Sequence, residues 1–316
     1  MKTAEERVFE NVLVWLQAGQ PVWLCTIVST MGASPRPLGS LLGMNGCGEL
    51  VGSLSGGCVE DDLLDKIKNG ALVVKQPVIE LFGVSAEENE RLGLPCGGRL
   101  EVLVEHLQAT HTDQVQSLLA ALAQRQCIRR RVDLSSGRWR LETVAGAEIL
   151  ALDSQTMRQD FGPRLHLLLV GANELARCIA ELATAMDYAV SVCDPREDRL
   201  AQWSVAGVNK LRAMPDDAVR EHADDGHSLV ITLTHDPRID DMALMEALQS
   251  RACYVGALGS ERTSAKRRLR LLQLDLTEAQ ISRLHAPVGL PIGSKSAMEI
   301  AVAVMAQLIQ RRTASR

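Results

Sequence analysis

The sequence predicts an α/β protein in two parts: an N-terminal α+β domain over residues 1–150 and a doubly wound parallel-sheet domain over 164–316, with a linker over 151–163. Three observations carry this. The chain has 316 residues, and at roughly 150 residues per domain it holds two. Its 46% apolar and 23% charged residues let each half bury a core. From Arg164 onward short, continuous apolar strands alternate with helices, the pattern of a parallel sheet covered on both faces.

Composition also excludes function classes. With 34 basic against 39 acidic side chains, a net charge of −5 and only 3% aromatic residues, the chain lacks the basic stripe and stacking platforms of a nucleic-acid binder. The longest nearly apolar runs, 167–172 and 300–306, fall far short of the roughly 20 residues that cross a bilayer. The opening MKTAEERVFE is charged and has no signal-peptide core, so a cytoplasmic location is expected. Eight cysteines contain no C-x-x-C pair, which argues against a zinc ribbon or redox dithiol and for reduced thiols.

In order, residues 5–17 place Val8, Val12, Leu13 and Leu16 at helical spacing, and Gly19-Gln20-Pro21 stops the helix. Residues 22–30 read as a strand, and 38–44 with 49–54 as a hairpin turning at Asn45-Gly46. Residues 59–68 form a helix opening with three acids and closing at Asn69-Gly70, as the helix dipole prefers. Strands are expected at 72–81 and 100–105, a helix at 114–124 and a hairpin from 128–133 and 139–144. In the second part, strands at 165–170, 189–193, 228–234 and 252–257 alternate with helices at 174–185 and 242–250, and helices at 261–272, 278–285 and 296–310 complete it.

The densest chemistry lies in the first part. Gly32-Ala33-Ser34-Pro35-Arg36-Pro37-Leu38-Gly39 is followed by Gly52-Ser53-Leu54-Ser55-Gly56-Gly57-Cys58-Val59-Glu60. Glycines before a helix let backbone N–H groups approach an anion, and Arg36 between two prolines presents a guanidinium fork with little entropy to lose. Cys58 stands at the positive end of the helix dipole. The same residues also describe a strand–turn–helix joint with a small buried thiol. A second glycine-flanked thiol, Cys96-Gly97-Gly98-Arg99, tips the reading toward a soft-donor, anion-binding site.

In the second part, Gly171-Ala172-Asn173-Glu174-Leu175-Ala176 follows a strand as a degraded G-x-G-x-x-A, with Asn173 where a second glycine admits a pyrophosphate. Asp194, 23 positions after Gly171, stands where a ribose hydroxyl is read. His235 and Gly259 follow later strands at carboxyl ends, where such sheets bind ligands. His235 and His285 are either acid–base groups or ordinary loop histidines. Arg262, Lys266, Arg267, Arg268 and Arg270 make one basic helix, read as a solvated face or, failing that, a partner surface.

Taken together, Gly32 to Gly39, Gly52 to Glu60, Cys96-Gly97-Gly98, Asp194-Pro195-Arg196, Thr234-His235-Asp236-Pro237 with Asp240-Asp241, the block Tyr254 to Ser260 and His285-Ala286-Pro287-Val288-Gly289-Leu290 resemble the xanthine dehydrogenase accessory family, XdhC/CoxI-like proteins. The resemblance implies a Rossmann-like second domain. It also implies a non-catalytic chaperone that binds the molybdenum cofactor, as molybdopterin or a dinucleotide form. Such a protein shields the cofactor while a cysteine desulfurase supports its sulfuration, inserts it into a molybdenum hydroxylase apoenzyme, and is usually a homodimer. Carried over by motif, Cys96 and then Cys58 are the molybdenum-proximal thiols, supported by Gly32, Ser34, Arg36, Gly39, Gly56, Gly57, Gly97 and Gly98 and, in the second domain, by Gly171, Asp194, His235 and Gly259. The chain departs from the family's G-A-G-H loop at Asn173 and Glu174. An NAD(P)-dependent oxidoreductase is the alternative, resting on the βαβ start and Asp194.

Overall fold

The computed structural model describes residues 2–32, 36–72, 76–85, 98–144, 150–234 and 236–314. The chain divides at Pro163/Arg164 into two compact units.

The first unit opens with α1 (Ala4–Gln17), whose Thr3 cap accepts the Glu6 N–H at 3.0 Å while the Glu6 carboxylate accepts the Thr3 N–H at 2.7 Å. The helix buries Val8, Phe9, Val12, Trp15 and Leu16. Strands β1 (Val22–Met31), β2 (Leu41–Asn45), β3 (Leu50–Gly52), β4 (Val78–Phe82) and β5 (Arg99–Leu107) form an antiparallel sheet in the order β3-β2-β1-β5-β4, with α2 (Cys58–Lys68) between β3 and β4 in sequence. At the β2–β3 turn the Asn45 side-chain oxygen accepts the N–H groups of Cys47 and Glu49, which is why Asn-Gly closes this hairpin.

Central strand β1 is buried on both faces. Leu24 joins one core with Phe9, Trp15, Leu103 and Phe161, whereas Cys25 and Ile27 join the other with Leu42, Leu63 and Phe82. After α3 (Thr112–Ala123), β6 (Cys127–Asp133), β7 (Trp139–Val144), β8 (Leu150–Leu152) and β9 (Thr156–Phe161) make a second antiparallel sheet, ordered β7-β6-β9-β8. The segment expected as a linker over 151–163 is therefore largely strand. Met157, Gln159 and Phe161 alternate inward along β9, a period-2 signal that Thr156, Arg158 and Asp160 dilute in the sequence. The expected strand over 72–81 begins only at Val78.

The second unit carries a six-stranded parallel sheet. Its strands are β10 (His166–Val170), β11 (Ala189–Cys193), β12 (Asn209–Leu211), β13 (Ser228–Thr232), β14 (Tyr254–Ala257) and β15 (Leu284–His285), in the order β12-β11-β10-β13-β14-β15. Its helices are α4 (Glu174–Ala185), α5 (Glu197–Ala201), α6 (Pro215–His222), α7 (Pro237–Gln249), α8 (Glu261–Gln273), α9 (Glu278–Ile281) and α10 (Ala297–Ala314). Leu167 and Leu169 face a core shared with α4 and α10, while Leu168 and Val170 face one shared with α6, α7 and α8. Both faces of β10 are covered, so its apolar run is continuous. The expected helix over 278–285 ends at Ile281, because Leu284 and His285 pair with Val255 and Gly256 as the edge strand.

Candidate functional site

The registers bring three predicted segments to one end of the first sheet. Thr26 pairs with Leu41, Leu42 with Gly52, and Met31 with Arg99. Consequently the β1–β2 loop with Gly32, Arg36 and Gly39, the turn Ser53 to Gly57 before Cys58, and the entry to β5 at Gly98 and Arg99 share that end. Ser34, Cys96 and Gly97 lie outside the described residues. Arg36 and Gly32 are exposed, whereas Gly39 is tied down: its N–H donates to the Ile27 carbonyl at 2.9 Å and its carbonyl accepts Gln159 Nε2 at 2.7 Å.

The turn into α2 is an anion nest, and Glu60 fills it. Its carboxylate accepts the backbone N–H groups of Leu54 (2.7 Å), Ser55 (2.9 Å), Gly56 (3.2 Å) and Gly57 (3.0 Å) and both the Ser53 and Ser55 hydroxyls. Burial alone would raise the Glu60 carboxyl; the Ser55 and backbone donors outweigh it and bring the pKa down to about 2. This corrects the expectation that these amides cradle a ligand's phosphate: the chain supplies its own anion three residues into the helix. Gly57, at φ 148°, adopts a backbone that only glycine visits readily. Cys58, the first helical residue, is exposed. Of the remaining described cysteines, Cys25, Cys127, Cys178 and Cys193 are buried, and Cys47 and Cys253 are exposed.

In the second unit, β10 and β13 are neighbours whose outgoing chains depart to opposite sides, the switch point where doubly wound sheets open a crevice. A cleft of about 670 Å³ lies there, lined by Ala172, Asn173, Arg196, Arg199, Thr234, Asp236, Pro237 and Arg238. Gly171 has φ 107°, and a Cβ on it would lie 2.6 Å from Thr234 Cγ2, so nothing larger fits. Asn173 caps α4, its oxygen accepting the Ala176 N–H at 2.9 Å and its amide donating to the Leu233 carbonyl at 2.7 Å. The side chain at the second-glycine position therefore stitches two strand ends together.

Asp194 is fully buried. It accepts the Ala172 N–H at 3.0 Å and the Arg196 guanidinium at 2.8 and 2.9 Å. Burial would raise its carboxyl, but the Arg196 and backbone donors hold it below its ordinary range. No oxygen of Asp194 is left to read a ribose diol as expected. Gly259 lies beyond β14 at the same sheet edge and precedes Ser260, which caps α8. His235 lies outside the described residues. His285 stacks on Tyr254 with ring centroids 4.6 Å apart, and burial followed by Arg311 and Arg268 lowers its pKa.

Sequence reasoning missed two features here. The supposed solvated basic face of α8 is partly interior: Arg267 is buried and donates to Asp240 at 2.8 Å, while Arg270 grips Asp241 at 2.7 and 3.1 Å. Asp240 in turn accepts the Thr234 hydroxyl at 2.7 Å and its N–H at 3.2 Å, fixing the strand end beside the cleft. Paired acids at Asp240-Asp241 were the available signal. Arg199 and Arg238 were also missed, because each looks like one more surface arginine until the fold gathers them.

Comparison with known proteins agrees with this architecture. The XdhC Rossmann domain matches residues 167–308, and the XdhC and CoxI family matches residues 15–79. The molybdenum cofactor insertion chaperone PaoD of Escherichia coli (strain K12) is 25% identical over 314 residues, covering 94% of this chain and 85% of that protein. A protein of Bacillus subtilis (strain 168) named as a probable xanthine dehydrogenase subunit is 26% identical over 313 residues, covering 92% of each chain. A crystal structure described as a xanthine dehydrogenase from Bacillus halodurans shares the fold, with a TM-score of 0.77 at 23% identity over 98% of this chain and 96% of that one. The α+β first unit, the doubly wound second unit and the matched blocks together place this chain in the XdhC and CoxI family.

Proposed function

We propose that the chain is an accessory chaperone, not a catalyst, which binds the molybdenum cofactor, supports its sulfuration and inserts it into a molybdenum hydroxylase of the xanthine dehydrogenase, aldehyde oxidase or CO dehydrogenase type. The name of the PaoD relative supports the cofactor, and that of the Bacillus subtilis relative supports the client class. The observation that carries the reading is the shared sheet end in the first unit, where strand pairing gathers Arg36, Cys58 and the start of β5. When bound, the group would bring a molybdenum centre held by a dithiolene pterin that bears a phosphate.

The residues present suit it in two respects and fail it in a third. An exposed thiol at Cys58 is a soft donor, and the exposed Arg36 offers a fork for an oxyanion. The backbone nest does not serve, since Glu60 occupies it. We assign the molybdenum-proximal role to Cys96 and Cys58 and the phosphate to Arg36. A homodimer in the cytoplasm, meeting a cysteine desulfurase and the apoenzyme, completes the reading.

The test is to purify the chain from cells that make the cofactor, denature it in acid with an oxidant, and measure the fluorescent pterin released. Bound pterin that falls in Cys96→Ala or Cys58→Ala supports the proposal; none above the Cys96→Ala background rejects it. The NAD(P)-dependent oxidoreductase reading draws on the parallel sheet and its switch-point cleft. It predicts saturable NAD(P)H binding lost in Asp194→Ala, against the geometry in which Asp194 is already saturated by donors.

A further inference from the structure

Gln159, on β9, reaches across 120 positions of sequence to the loop that carries Arg36. It is 3% exposed; its Nε2 donates to the Gly39 carbonyl at 2.7 Å, and its Oε1 accepts Nη2 of Arg130 at 3.0 Å. Arg130 stands opposite it in the β6–β9 register and donates also to Glu105 at 2.9 Å and to the Thr26 hydroxyl at 3.2 Å. A guanidinium only donates, so the Gln159 oxygen must face Arg130 and its NH2 group must face Gly39. The amide therefore has one orientation, and the Gly39 carbonyl has one place.

That place fixes the return of the loop. Gly39 is buried at φ 83° and donates its N–H to the Ile27 carbonyl at 2.9 Å. The N–H and the hydroxyl of Ser40 both donate to the Pro37 carbonyl, at 3.2 and 2.7 Å, and Leu38 packs on the core that holds Ile27 and Leu42. Pro37 has its own φ locked by its ring, so Arg36 springs directly from a turn with little freedom left. Apolar side chains of similar volume often replace a buried ionic group without loss of stability, so joining the two sheets does not require this polar relay. What Arg130 and Gln159 add to packing is direction, and the direction ends at the base of Arg36.

We propose that Gln159 is a positioning residue for oxyanion recognition by Arg36, with Arg130 setting the direction of its amide. The inference rests on the assignment of Arg36 to the cofactor's phosphate. Gln159 is buried while Arg36 is exposed, so it acts through the loop backbone and not by contact with the bound group. A guanidinium fork meets two oxygens only when its base is correctly placed, whereas a lysine ammonium is a point charge on a flexible stem. The dependence on Gln159 therefore belongs to an arginine at position 36 and not to a lysine there.

The experiment measures the pterin retained by the full chain purified from cells that make the cofactor, together with amide hydrogen exchange at Gly39 and Ser40. Gln159→Met should retain about tenfold less pterin than the parent, the factor that one buried hydrogen bond is worth, and should exchange those amides faster. In an Arg36→Lys background the same Gln159→Met change should alter retention little, because a flexible ammonium does not depend on where the loop is held. A role in stability alone would lower retention equally in both backgrounds. Thr26→Val removes a different acceptor of Arg130 and leaves the Gly39 link, so it controls for lost stability and should retain pterin as the parent does. Equal retention in Gln159→Met and the parent, equal losses in the two backgrounds, or the same loss in Thr26→Val overturns the positioning role. Exchange unchanged by Gln159→Met also rejects that role alone, whereas a parent without pterin rejects the reading of Arg36 on which it rests.

Discussion

The Glu60 carboxylate accepts the Leu54 backbone N–H at 2.7 Å, reaching back across the turn that leads into its own helix. Together with the three following amides, this contact makes the turn before Cys58 an anion site satisfied from within. Glu60→Ala should therefore destabilise the first unit by about 3 kcal/mol, because buried donors lose their acceptor. Sulfate or phosphate should restore part of that loss by entering the vacated nest, whereas the parent should gain less from the same salt. Urea unfolding with and without sulfate checks both.

The same carboxylate sets an acid limit. Its pKa in the folded chain is about 2 against an ordinary 4.5, so its contribution is complete above 4.5 and is lost as the pH falls from about 4.5 toward 2. Relative to Glu60→Gln, the parent's stability advantage should shrink across that window and stay flat above it. A constant gap down to pH 2 would contradict this.

Asp240 works in the opposite sense. Burial raises its pKa to about 6, against the pull of the Thr234 hydrogen bond and Arg267. The folded chain thus takes up a proton before the unfolded chain does, at its ordinary 3.8, and the group's contribution grows as pH falls from about 6 to 4 and disappears as pH rises. The stability of the parent minus that of Asp240→Asn should increase over the same interval, measured by denaturant midpoints at a series of pH values.

Arg130 and Glu105 form a pair at 2.9 Å that is all but sealed from water, with Arg130 4.5 Å from the Trp139 ring centre. Arg130→Met should cost about 3–5 kcal/mol, since it strands a buried carboxylate. Adding Glu105→Gln should recover part of that cost, and equal stability of the single and double variants would show that the pair is not coupled.

Gly171→Ala places a Cβ 2.6 Å from Thr234 Cγ2 at φ 107°. A loss of about 2 kcal/mol or more is expected, read as a lower melting temperature.

Periodicity in the chain makes most of the helices and the parallel strands readable. The run His166–Val170 is apolar at every position but the first, and β11 is nearly as apolar. Short polar elements are not readable: Asn209–Leu211 is an edge strand of three residues, and Glu197–Ala201 a single turn carrying three charges, so neither has a periodic signal. Among the candidate residues, Arg36, Cys58, Gly171 and Asp194 each stand out by residue type and neighbours. Their roles are less visible, as Asp194 and the amides before Cys58 are saturated by the chain itself.

The sequence alone determined most of the helices and the apolar parallel strands, where the thiols and glycine turns fall, and the family to which the chain belongs, because these depend on neighbours within a few positions. Only the tertiary structure decided which charges meet. Arg267 and Asp240 are 27 positions apart and in direct contact, and Arg196 and Arg238, 42 positions apart, line the same cleft. Strand order, which no local pattern encodes, brings them together, and burial then determines whether an arginine is a strut of the core, as Arg267 is, or lines an open cleft, as Arg238 does.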